Sequence, residues 1–389
     1  MQEKKTYKLL IAGDVLPSGN NIKLFEDGDM EKIFGKQVSR LFFDADFSII
    51  NLEGALTDSV DMRQKVDPIL KAPIATINGI KNLGVSAVAL ANNHVTDYLD
   101  KGYTDTIRTI ENAGIQHVGS GYNKEEVRTH LSLSLGSRRI CIYNVSETFF
   151  NVPGRDSAGC NLYDEWLVLN EIADLKKTHD YLIVIYHGGA EKFPYPTPLV
   201  RQRFHRMADC GADFISAQHT HCIGCEEKYK GAYLLYGQGN FLFSRMKNPM
   251  TKEGLITVLE FSEQETRPSG ITHHLIRVNE QDVVQYDENQ DLSFFYERSR
   301  EIQDEDAIYA KYHYYAYHNP IVKNRYLIAC RGGGFMNKIL MRFFPSYYKN
   351  KCLDRYNRQQ LLRLIIAHEG ERYSEDYSAC LHYMLNKSS

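Results

Sequence analysis

"VSAVALANNHVTDY", residues 85–98, runs mostly apolar through Ala91 and then turns polar at Asn92, Asn93 and His94. A short apolar run bounded in this way reads as a buried strand that ends on functional groups. The same design recurs four times. YKLLIAGDVL (7–16) reads as a buried strand ending in a Gly-Asp turn, and DFSIINLE (46–53) ends on a carboxylate. YLIVIYHGG (181–189) and ADFISAQHTH (212–221) end on histidines.

Helical spacing fills the intervals. Ile33, Phe34, Val38 and Leu41 mark a helix over 29–42, and others are expected over 74–83, 100–113 (closed by Gly114), 164–178 and 198–210. Residues 115–118 read as a short strand, and the alternation over 130–145 predicts a hairpin. YLLYGQGNFLF (233–243) and GLITVLEF (254–261) are expected to continue the sheet. Strands alternating with helices imply a layered α/β fold, in which ligands bind at the strand carboxyl ends.

After about residue 290 the strand signals thin out. YAKYHYYAYH (309–318) and YNRQQLLRLIIAH (356–368) suggest a mainly helical region, with a break at Arg331–Gly334. The expected division is therefore 1–290 and 291–389. Between Ile321 and Arg372, 11 Lys or Arg face 3 Asp or Glu, a basic stretch read chiefly as solvated helical faces. The whole chain of 389 residues carries a net charge of −3, so nucleic acid is not an expected partner. No run approaches 18 apolar residues and no signal peptide is visible, so a cytoplasmic location is expected.

Eight cysteines are scattered along the chain. Cys222 and Cys225 have CxxC spacing, but no second pair completes a structural zinc site, so they are read as small buried hydrophobes.

Collected, the polar strand ends are Asp14, Asn51 with Glu53, Asn92-Asn93-His94 with Asp97, His187, and His219 with His221. Imidazole suits zinc, iron and manganese, while carboxylate and amide oxygens accommodate harder ions. A carboxylate shared between two ions is a recurrent basis for two-metal hydrolysis.

The order GD, NLE, ANNHxxDY, HxGxE, HxH and GNFLF over residues 7–262 resembles the CapA (poly-γ-glutamate capsule biosynthesis) family. That family falls within the calcineurin-like metallophosphoesterases. The most specific pieces are NLEGALTD (51–58), LKAPIATINGIKNLGVSAVALANNHVTDY (70–98) and YGQGNFLF (236–243). The resemblance implies a metallophosphoesterase-like β-sandwich flanked by helices, holding two divalent ions (Mn, Fe or Zn). It implies that Asp14 and His221 bind the first ion, that Asn93, His187 and His219 bind the second, and that Glu53 bridges. His94 would protonate a leaving group with Asp97 orienting it, and Glu191 and Asn240 would support the ligands.

Two departures stand out. Val15-Leu16 follows Asp14 where the superfamily often has Asp-x-His, and Gln218 replaces the usual Gly before the paired histidines. The resemblance implies a metal-dependent hydrolase of phosphoester or amide (γ-glutamyl) bonds, acting on an anionic polymer or small molecule alongside other capsule or polymer biosynthesis proteins. The alternative is a non-catalytic, metal-binding component of a polymer assembly complex.

Overall fold

The computed structural model describes residues 5–65, 68–147, 151, 153–154, 157–243, 248–263, 265–318 and 342–343. The chain begins with β1 (Thr6–Leu16), α1 (Ile22–Asp27), α2 (Met30–Phe43), β2 (Phe47–Leu52), and the short pair β3 (Ala55–Leu56) and β4 (Lys71–Ala72). It continues through α3 (Ile77–Asn82), β5 (Ala87–Ala89), α4 (Leu99–Asn112), β6 (Gln116–Val118), β7 (Ser120–Gly121), β8 (Leu131–Leu135) and β9 (Arg138–Ser146). Then come β10 (Gly159–Cys160), α5 (Glu165–Lys176), β11 (Tyr181–His187), α6 (Pro198–Asp209), β12 (Phe214–Gln218), β13 (Glu226–Tyr229), β14 (Ala232–Leu235) and β15 (Asn240–Phe243). β16 (Glu253–Ser262), β17 (Gly270–Val278), β18 (Val284–Tyr286), α7 (Ser293–Glu301) and α8 (Glu305–His318) follow.

Two sheets form the body. One has the order β18-β17-β16-β1-β2-β5-β6, with β15 also paired to β1; the other has the order β13-β14-β12-β11-β9-β8. The two-residue side-chain period divides each central strand between two cores. Leu9 and Ile11 of β1 face the space between the sheets, with Ile183 and Ile185 of β11. Leu10 and Ala12 face outward under α2, with Phe34 and Val38. On the second sheet, Leu182 and Val184 face outward under α5 and α6, against Ile172 and Phe204. Strands buried on both faces have no polar side to show, which explains the unbroken apolar runs in the sequence. The expected layered α/β sandwich is the fold observed.

Two local expectations change. Gly13-Asp14 is not a turn that ends the first strand: β1 continues to Leu16, with its register shifted between Ile11 and Asp14. Along this edge the partner changes from β16, antiparallel up to Ile11, to β15, parallel from Asp14. A Cβ on Gly13 would lie 2.0 Å from the Gly239 carbonyl oxygen, so only glycine fits the changeover. Second, YLLYGQGNFLF is not one strand. Gly237 and Gly239 have φ of 159° and 71°, and the chain crosses there from β14 in one sheet to β15 in the other. The strands β17 and β18 were not anticipated.

The first compact unit runs to Tyr309 and the second covers Ala310–Ser389. α7, beyond the expected division at 290, belongs to the first: Phe295 lies in the inter-sheet core, and Arg298 donates to the Ile223 carbonyl at 2.7 Å. In the second unit, the Tyr-rich stretch is the carboxyl-terminal part of α8, where Tyr314 and Tyr317 are exposed. The expected helix 356–368, the break at 331–334, nearly all of the basic stretch 321–372, and Cys330, Cys352 and Cys380 lie outside the described residues. Among the described residues, no helix is long and apolar enough to cross a membrane.

Candidate metal centre

The carboxyl ends of strands from both sheets converge at one place. β1 delivers Asp14, and Glu53 follows β2, with its backbone N–H donating to the Val15 carbonyl at 3.0 Å. The turn after β5 carries Asn92, Asn93, His94 and Asp97. From the second sheet, His187 closes β11, while His219 and His221 follow β12. Both of these histidines have positive φ, 82° and 53°, an uncommon conformation for a side chain of this size. Such strain is held in place by the surrounding structure and is concentrated at functional sites.

Two donor sets emerge, each with ligating atoms within 4.8 Å of one another: Asp14, Glu53 and His221, and Glu53, His187 and His219. Glu53 belongs to both. Asn93 joins the second, its Oδ1 lying 2.9 Å from His187 Nε2. Glu53 is fully buried, and neither of its carboxylate oxygens has a hydrogen-bond partner. A buried carboxylate without partners is costly, and a pair of cations offsets that cost directly. The residues present therefore fit two divalent ions, and their N/O donors suit Mn, Fe or Zn.

The surrounding hydrogen bonds aim the ligands. Asn240 Oδ1 lies 2.8 Å from His221 Nδ1, and its Nδ2 donates to the Thr251 carbonyl at 2.7 Å. Burial would lower His221, but Glu53 and Asp14 push it up to about 10, and its Nε2 lies 3.7 Å from Glu53 Oε1. Asn51 Nδ2 donates to Asp14 Oδ1 at 2.7 Å, and the His219 backbone N–H donates to Asp14 Oδ2 at 3.1 Å. Asn92 supports Asn51 in turn, donating to its Oδ1 at 3.1 Å while accepting from the His94 N–H at 3.0 Å.

The electrostatics match this geometry. Burial alone would raise the Asp14 carboxyl, but His221, His187 and Asn51 hold it down to about 2. Burial pushes Glu53 well above the usual carboxylate range. Burial and the neighbouring His219 keep His187 far below its usual range, so its lone pair is available.

His94 belongs to neither donor set. Its Nδ1 lies 2.7 Å from Asp97 Oδ2, and its Nε2 points toward Glu53 Oε1 at 3.9 Å. Glu191 stands at the rim, partly exposed, with its carboxylate 3.2 Å from Lys192 Nζ. Burial would raise the Glu191 carboxyl, but His219, His221 and Lys192 hold it below the usual range, so each candidate site residue singled out in the sequence meets at the centre or interacts with a residue there. Cys222 and Cys225 stay apart as buried free thiols, with Cys222 pushed up to about 12 by burial.

Two residues were not anticipated. Lys65 is buried, its ammonium paired with Asp97 and 3.2 Å from His94 Nδ1 and 3.3 Å from the Asn93 carbonyl. Glu147, just beyond β9, accepts from the Gly189 N–H at 3.0 Å and lies 3.9 Å from His219 Nε2. Glu147 follows an apolar strand as the other site residues do, a signal that could have found it. Lys65 lies in a long polar loop and carries no such signal.

The family described as "Bacterial capsule synthesis protein PGA_cap" matches residues 8–245. The capsule biosynthesis protein CapA of Bacillus anthracis is 26% identical over 253 residues, 63% of this chain and 61% of that protein. The PGA biosynthesis protein CapA of Bacillus subtilis (strain 168) is 26% identical over 238 residues, 60% of this chain and 62% of that protein. The aligned part thus spans about three fifths of these curated relatives. A crystal structure described as a novel phosphatase from Mycoplasma pneumoniae covers 75% of this chain and 99% of its own, with TM-score 0.45 and 15% identity.

Proposed function

The chain belongs to the PGA_cap family of bacterial capsule synthesis proteins, and on that premise we propose that it is a dinuclear metal-dependent hydrolase acting in capsule, poly-γ-glutamate or related polymer biosynthesis. Its bond is a phosphoester or an amide of the γ-glutamyl kind, in an anionic polymer or small molecule. Other biosynthesis proteins of the same polymer are its expected partners. The observation that carries this reading is Glu53, buried, without hydrogen bonds, and common to both donor sets.

Asp14, Glu53 and His221 would hold the first ion, and Glu53, Asn93, His187 and His219 the second. When bound, the two ions polarise the bond to be cleaved and offset the charge that develops as water attacks. His94 stands beside them without being a ligand, which suits a proton donor to the leaving group. Asp97 fixes the ring through Nδ1 and leaves Nε2 turned toward the shared carboxylate. Lys65 neutralises Asp97, and Asn51 and Asn240 keep Asp14 and His221 aimed.

One observation favours the second reading, a non-catalytic metal-binding component of a polymer assembly complex. Val15-Leu16 follows Asp14 where the superfamily often has Asp-x-His, and the donor set around Asp14 has three members, Asp14, Glu53 and His221. Metal analysis of wild type and His219→Ala, beside a panel of phosphodiester, phosphomonoester and γ-glutamyl substrates, separates the two. Two ions per chain, lost in the variant together with one activity, is the expected result for the hydrolase. Bound metal with no turnover on any substrate favours the assembly component.

A further inference from the structure

Among the described residues, one other group of donors comes within 4.8 Å of one another: His130, Cys141 and His179. Strand register brings it together. Ser132 stands opposite Cys141 across the antiparallel β8–β9 pair. His130, two residues before Ser132, falls on the same face by the strand period. His179 ends the α5–β11 connection, two residues before Tyr181, which pairs with Ile140. Cys141 is buried on the face that α5 covers, packed with Val168 and Ile172. Leu182 of β11 lies opposite Cys141, and His187 follows five residues later, roughly 16 Å along the strand.

We infer that His130, Cys141 and His179 form a further metal site, for zinc or a similarly thiophilic divalent ion. His179 Nδ1 lies 2.9 Å from the Leu175 carbonyl, so it carries the proton and donates there. Its Nε2 lone pair then faces the cluster, the arrangement typical of an imidazole ligand whose far nitrogen is tied to backbone. In the absence of an ion the Ser132 hydroxyl donates to that Nε2 at 2.6 Å, a hydrogen bond that an ion would replace. Burial pushes the Cys141 thiol up to about 12, so without metal it keeps its proton. Binding forms a metal–sulfur bond and releases that proton to solvent. One thiolate and two imidazoles match zinc with an open fourth position and disfavour calcium or magnesium. The ion would clip β8, at the edge of its sheet, to the end of α5.

Cobalt(II) added to the metal-free full-length protein tests this, because thiolate ligation gives a near-ultraviolet sulfur-to-cobalt charge-transfer band that N/O ligands do not. The expected result is such a band, absent in Cys141→Ser, retained in Cys222→Ser, and accompanied by release of the thiol proton. His130→Ala removes a ligand at an exposed position where folding is not at stake, and should weaken binding at least about tenfold. Cobalt bound without any thiolate band, or a band unchanged in Cys141→Ser or His130→Ala, overturns the site. Neither outcome touches the proposed hydrolase, whose ligands include no thiol. Conversely, loss of cobalt from the Glu53 centre alone would leave this band in place.

Discussion

Asn51 reaches both donor sets of the candidate metal centre: its Nδ2 lies 2.7 Å from Asp14 Oδ1 and 3.3 Å from His187 Nδ1. One amide thus touches a ligand from each sheet. Residues that orient metal ligands commonly contribute 10–100-fold to affinity. Asn51→Ala is expected to weaken binding of both ions by about that factor, seen by calorimetric titration of metal-free protein. An effect confined to one ion would mean that Asn51 serves only one ligand.

Glu53→Gln should lose stability only where metal is bound. With chelator present, one buried polar group without a hydrogen-bond partner replaces another, and the change should stay within about 1 kcal/mol. With Mn or Zn present, the wild type gains binding energy that the variant lacks, and the gap should open. Thermal melts with and without metal read this directly.

Lys65 and Asp97 form a buried pair, each side chain at most 1% exposed. Removing one partner from such a pair typically costs about 3–5 kcal/mol, because the other charge is stranded. Lys65→Met and Asp97→Asn should each be costly, and the double variant should cost less than their sum by about 0.5–3 kcal/mol. Urea denaturation of all four proteins gives the coupling; strict additivity would show the pair to be energetically idle.

Glu227 is the acid-sensitive point away from the centre. It accepts from Arg201 at 2.8 Å and Tyr236 at 2.7 Å, with His205 Nε2 at 3.0 Å. Burial alone would raise its carboxyl, but His205, Arg201 and Tyr236 hold it down to about 2 from an ordinary 4.5. A depressed folded value means the stabilisation is present above about pH 4.5 and is lost as pH falls toward 2. The contribution is at most about 3 kcal/mol. Glu227→Gln should therefore be less stable than wild type at pH 7, with the gap narrowing to less than half by pH 3, in urea titrations at both pH values.

Gly13→Ala probes the partner change in β1. The added methyl would lie 2.0 Å from the Gly239 oxygen, and backbone on both sides must yield. A loss of about 3 kcal/mol is expected, with Asp14 displaced and first-ion affinity reduced. Unchanged melting and unchanged metal content would show that the contact is soft.

The centre was legible because its residues interrupt or end strands whose two faces are both buried. Asp14, Glu53, His187 and His219 each break an apolar run, and such a break has no packing reason. The adjoining turn Asn92-Asn93-His94 follows the same logic. What local pattern could not supply was tertiary. Lys65 reaches Asp97 from a loop whose course no periodicity sets. The run 233–243 looks uniform, yet two glycines with unusual φ carry it between sheets. β17 alternates, but His273 and His274 blur its apolar face, since His273 is buried against Tyr233 and Thr257.

The pairing of β1 with β16 also sets a schedule for synthesis. Leu9 finds its antiparallel partner Leu259 only after some 250 further residues have been made. At about 5–20 residues per second, one edge of the central strand waits roughly 10–50 s for its neighbour. During that interval β1 is an open, strongly apolar edge on a growing chain, the kind of surface that recruits stray strands. The ribosome therefore releases a finished second sheet before the first sheet is complete, and the last strands to emerge decide whether the nascent chain closes on itself or on another copy.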